Sequence, residues 1–115
     1  MDITITIPKN QKDSWLADIL HLSKSENEQY LFFKIPVRPT STQLGDKCYV
    51  IINNQIIGYH LIEDIIKSNG FVCQTSGKQW PPGIYIVRKS TTWVLLEKPI
   101  PGTSHRGFRY FKGNK

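Results

Sequence analysis

From Gln74 to its end the chain has one acid, Glu97, in 42 residues. Against it stand Lys78, Arg88, Lys89, Lys98, Arg106, Arg109, Lys112 and Lys115. The first 73 residues carry seven basic and eight acidic side chains, so the net charge of +6 belongs to the C-terminal part. Cations without local acids to pair them attract polyanions.

Cysteine is almost as scarce. Cys48 and Cys73 sit in apolar segments without C-x-x-C spacing, and His21, His60 and His105 are scattered, a pattern that fits neither a zinc finger nor a deaminase centre. Two buried, reduced thiols are expected, and no metal or cofactor. No apolar run approaches the ~20 residues that span a bilayer. Met1–Ile7 alternates apolar with polar residues and lacks the continuous apolar stretch of a signal peptide. The expectation is a cytoplasmic protein, a monomer or weak dimer, without a membrane partner. Gly77 and Gly83 are too isolated for a phosphate loop, and no Ser-His-acid or Cys-His spacing is present, so binding is expected over catalysis.

At 115 residues and 39% hydrophobic composition the chain makes one folded domain. Ile3, Ile5 and Ile7 alternate with Thr4 and Thr6 as one half-buried strand. Asp13 or Ser14 caps a helix through about Ser23, with Trp15, Leu16, Ile19 and Leu20 on one stripe. A polar loop at Lys24–Gln29 leads to a strand at Tyr30–Ile35, and a turn-rich connection runs from Pro36 to Leu44. Strands at Lys47–Ile52 and Ile56–Ile62 flank Asn53-Asn54, which suits a tight hairpin turn, and Gly58 marks a bulge or a close approach. Ile62–Lys67 reads as a short amphipathic, helical stretch. Further strands are expected at Phe71–Thr75, Ile84–Arg88, Thr91–Leu96 and Phe108–Phe111, with Lys89-Ser90 as a hairpin tip. The fold class is mainly β (α+β): a closed or partly closed barrel of six to seven strands over residues 30–111, preceded by a strand and helix over 1–29.

Leu44-Gly45-Asp46-Lys47-Cys48-Tyr49-Val50-Ile51-Ile52, a turn, and Ile56-Ile57-Gly58-Tyr59-His60-Leu61-Ile62 together resemble the central hairpin of PUA-like barrels, the superfamily that includes PUA, ASCH and EVE domains. The resemblance implies a small barrel that binds RNA or a modified base, with Lys34 and Arg38 lining its cleft. ASCH domains carry Gly-x-Lys-x-x-Glu-x-Arg; Phe32–Arg38 keeps only a Lys and an Arg of it, so catalysis is not implied.

Trp80, Tyr85, Trp93, Phe108, Tyr110 and Phe111 are interleaved with the C-terminal cations, as stacking on bases requires. Trp80, between Lys78 and two prolines, either stacks on a base or plugs a barrel end. Arg106 and Arg109 either grip phosphate, with His105 and Ser104 adding donors, or pair with Asp46 or Glu63. Arg88 and Lys89 read as solvated surface. The expected nucleic-acid site is therefore Lys34, Arg38, Lys78, Trp80, Arg88, His105, Arg106, Arg109 and Tyr110. The expected partner is RNA or DNA. The alternatives are a hydrolase acting on a nucleotide or modified nucleoside in the same cleft, and a module whose basic face meets an acidic protein.

Overall fold

Ile3 and Ile5 have no solvent exposure and alternate with Thr4 and Thr6, which turn to the opposite face of strand β1 (Ile3–Thr6). In the computed structural model, which describes residues 1–8, 11–23, 30–72 and 79–111, this strand lies inside the sheet. It runs parallel to β3 (Lys47–Ile52) and antiparallel to β9 (Phe108–Tyr110). Between β1 and β3 come helix α1 (Lys12–Ser23) and β2 (Tyr30–Ile35). After β3 the chain continues as β4 (Gln55–Ser68), β5 (Phe71–Val72), β6 (Gln79–Trp80), β7 (Gly83–Lys89) and β8 (Val94–Pro101). Among the described residues, no helix is long and apolar enough to cross a membrane.

The seven-stranded sheet has the order β2-β7-β4-β3-β1-β9, with β8 on the other side of β4, while β5 and β6 form a separate pair. The sheet does not close. Among the described residues no ladder joins β2 to β9, so of the closed or partly closed barrel that was expected, closure is not found. β4 explains the shape: its first half pairs with β3 and β8, and its second half, from Ile62, pairs with β7. A register shift between Ile62 and Asp64 bends the strand where it passes from one set of neighbours to the other.

That bulge also corrects the helical reading of Ile62–Lys67, which is strand. The extra residue puts Ile62 and Ile65 on the same buried face three positions apart and so imitates a helical period. The expected tip at Lys89-Ser90 is different too. Ser90–Thr92 forms a 3-10 turn, closed by Thr92 Oγ1 donating to the Lys89 carbonyl at 2.7 Å, and the following strand pairs with β4 instead of β7. At the β3–β4 turn, Asn53 and Asn54 take φ values of 55° and 59°, as expected there.

The core is β-branched. Ile3, Ile5, Ile35, Val50, Ile52, Ile62 and Ile86 pack together under Trp15, Leu16 and Trp93. Each such isoleucine contributes about 1.5–3 kcal/mol by leaving water, and Ile5→Ala would cost about 2–5 kcal/mol. α1 begins at Lys12, so neither Asp13 nor Ser14 caps it: Asp13 stands in the first turn, and Ser14 Oγ donates to the Gln11 carbonyl at 3.2 Å. The expected loop at 24–29, the strand expected beyond Val72, Cys73, Lys78, and the Leu20 and Trp80 side chains lie outside what is described.

Candidate functional site

The pairing of β9, β1, β3, β4 and β8 sets one row of side chains across the face of the sheet that turns away from the core. In register, Arg109 faces Thr4, Thr4 faces Tyr49, Tyr49 faces Tyr59, and Tyr59 faces Val94. The alternation that buries Cys48 and Val50 sends Lys47, Tyr49 and Ile51 outward. Tyr49 sits 5.5 Å from Tyr59 and 4.5 Å from Phe111 between ring centroids, and the Lys47 ammonium lies 4.8 Å over the Tyr59 ring. Three half-exposed rings thus run in contact, with Arg109 beside one end and Lys47 at the other.

An open groove of about 300 Å³ adjoins this row. Ile51 and Ile56 form its floor; Thr4, Arg109 and Phe111 line it along with the crossing segment Pro101–Thr103 and His105. Asn54 holds the crossing segment, its carbonyl accepting from Gly102 N at 3.1 Å and its Oδ1 from Ser104 N at 3.0 Å. His105 is fixed by its own N–H, which donates to Thr6 Oγ1 at 3.1 Å. An Nδ1–H tautomer satisfies both ring nitrogens: it donates to the Arg106 carbonyl at 3.2 Å, and Nε2 accepts from Thr4 Oγ1 at 2.8 Å.

Of the residues expected at the site, the structure brings Arg109, His105 and Tyr110 to the groove, with Arg106 exposed beside them. Neither arginine pairs with the acids proposed for it. Asp46 accepts from Gln43 N at 2.8 Å and from the Met1 amine at 2.9 Å, and Glu63 lies 3.6 Å from Lys89. Tyr110 lines the groove from β9 while its ring packs toward the core beside Ile3. Its phenol oxygen accepts from Ser41 N and Thr40 N at 3.0 and 2.9 Å, contacts that hold its proton affinity below the ordinary value. Arg38 donates to the Ile65 carbonyl at 3.0 Å, and Lys34 is exposed on β2, the opposite edge of the sheet from β9. Arg88, read from the sequence as solvated surface and a site cation, is not on the outer face. This arginine is 3% exposed, because it shares the core face of β7 with Ile86 and stands opposite the buried Ile62 of β4.

A second polar centre lies inside, under α1. His60 is fully buried, 4.8 Å from Trp93 and 6.5 Å from Trp15 between ring centroids. Burial, aided by the Arg88 charge, pushes the His60 imidazole down to about 3. Cys48, opposite His60 in register, is a buried free thiol pushed up to about 11 by the same burial, against the opposing pull of Arg88. No three His, Cys, Asp or Glu side chains converge as metal ligands among the described residues.

Tyr49, Tyr59, Lys47 and Thr4 were not among the residues expected at the site. Their signal was the period-2 alternation of the hairpin, which places two tyrosines opposite each other on the face away from Cys48 and Val50. Comparison with protein-family models, curated proteins and solved structures finds no match to this chain.

Proposed function

We propose that the protein binds single-stranded nucleic acid across the outer face of β9, β1, β3 and β4. The observation that carries this reading is the contiguous Phe111–Tyr49–Tyr59 row flanked by Arg109 and Lys47. Flat rings offer a stacking surface to any base, and cations beside them match the phosphates on either side. The net charge of +6 adds a long-range attraction. RNA, or a modified base within it, is the target that the PUA-like resemblance of the β3–β4 hairpin supports. The groove brings His105 and Arg109 together with no carboxylate among its lining residues, which favours binding over hydrolysis.

A second reading has one observation of its own. Val94 and Leu95 are 42% and 56% exposed on β8, which pairs only with β4 among the described residues, so an extended peptide could add to that edge.

Salt-titrated binding to short RNA and DNA oligonucleotides tests the first reading. Arg109→Gln should weaken binding across sequences and lower the slope of log K against log salt by roughly 0.7, one single-strand phosphate contact. Tyr59→Ala should cost about 1–3 kcal/mol of binding with the slope unchanged. Near-ultraviolet circular dichroism establishes that each variant is folded. Wild-type protein with no salt-dependent affinity near about 50 mM salt for any of the oligonucleotides would overturn the proposal.

A further inference from the structure

Arg88 is a buried cation that has no counter-ion among the described residues. Its Nε and Nη1 have no hydrogen-bond partner, and no acid among the described residues pairs with it; Glu63, one position beyond its strand partner Ile62, turns outward to Lys89. His60 lies two residues before Ile62 on β4, on the same buried face, and both its ring nitrogens are unpartnered as well. Trp93 completes the group. Its indole rests against Gly58, where the missing side chain makes room, and its buried Nε1 also has no acceptor. Trp15 covers the cluster from α1, edge-on to both rings at 5.5 Å from Trp93 and 6.5 Å from His60.

These groups share one deficiency. A guanidinium and an indole can only donate, and a neutral imidazole donates from one nitrogen and accepts at the other, so the cluster has more donors than acceptors. Arg88 cannot shed its charge, since a guanidinium keeps its proton in proteins. Burying it unpaired is strongly unfavourable, and so is leaving the neighbouring N–H groups without acceptors. A small anion with several oxygens meets both requirements at once. The register sets Arg88 diagonally across from His60, a separation a long side chain can span.

We propose that the interior beneath α1 is a binding site for a small oxyanion, the carboxylate or phosphate group of a ligand, held by Arg88 with His60 and Trp93 as further donors. The site is separate from the outer face: Arg109 and His105 lie beyond the opposite surface of the sheet. Cys48, across from His60, sets its apolar side.

The test follows the Arg88 Nε–H and Trp93 Nε1–H resonances of 15N-labelled protein during titration with sodium phosphate and, separately, sodium acetate, at an ionic strength held constant with sodium chloride. Both resonances should shift saturably with at least one anion, and the Tm should rise with its logarithm. Saturation by phosphate alone assigns a phosphate-bearing ligand, and saturation by acetate alone a carboxylate. Arg88→Met should abolish the anion-dependent part of the Tm, whereas Lys98→Gln, an exposed β8 position outside both sites, should leave it intact. If Arg88→Met does not fold, the wild-type resonances decide. Two indole and guanidinium signals unmoved by either anion, or an Arg88→Met variant with the full wild-type Tm response, would overturn the proposal.

Discussion

Gly58 lies so close to Trp93 that no methyl group fits between them: a Cβ at position 58 would stand 2.5 Å from the indole Cη2 and 2.4 Å from the Val94 carbonyl oxygen. Gly58→Ala should therefore destabilise the fold by about 1–3 kcal/mol, measured as a lower urea midpoint. Adding Trp93→Leu should recover only part of the loss. The ring can be trimmed, but the Val94 carbonyl belongs to β8 and stays in the way. Full recovery would show that the ring alone sets the limit.

His60 gives the stability a pH dependence of definite sign. Its imidazole takes up a proton at about 3 when folded and near 6.5 when unfolded. Between those values the unfolded chain binds more protons, so stability should fall as pH drops below 6.5, by up to about 1.4 kcal/mol per unit. Above that window the contribution is complete and flat. Urea midpoints between about pH 5 and 7 check this, and His60→Gln should have a shallower slope than wild type.

Cys48 should be inert while the protein is folded, since its buried thiol is held up to about 11 and only the thiolate reacts. In a Cys73→Ser background, a thiol reagent at about pH 8 should label Cys48 at the rate of unfolding and in one equivalent once urea is added. Prompt labelling of the native protein would contradict its placement opposite His60.

The β3–β4 turn has two roles that a pair of substitutions can separate. Asn53 and Asn54 both hold positive φ, so Asn53→Val should cost about 1–2 kcal/mol of stability. Asn54→Gly relieves the backbone but removes the Oδ1 that anchors Ser104. The hairpin should survive, while oligonucleotide affinity should weaken as the segment carrying His105 loosens.

Local rules carried the sequence reading as far as local interactions decide the outcome. The alternation at Ile3, Ile5 and Ile7 and the turn at Asn53-Asn54 follow from side-chain period and backbone sterics within a few residues, and both were legible. Arg88 was not. Its burial results from its place on the core face of β7 opposite Ile62, tens of residues away in the chain, whereas the residue type alone points to solvent. Ile62–Lys67 misled because a single bulge turned a period of two into a spacing of three. The aromatic row was hidden for the same nonlocal reason: Phe111 reaches Tyr49 only because β1 enters the sheet between β3 and β9. Arg109 and His105 were named from charge and spacing, yet the groove between them depends on where the 101–105 segment crosses.

One strand serves two groups of neighbours, and this governs how the chain can be divided. A cleavage inside β4 would separate the β3 and β8 pairing from the β7 pairing and leave each fragment with an incomplete surface. A break in the exposed connection between β2 and β3 would spare β4 entirely, so the resulting pieces could reassemble around it as a common spine. Fragment complementation, and recombination between related sequences, should accordingly tolerate a junction in that connection and reject one between Gln55 and Ser68.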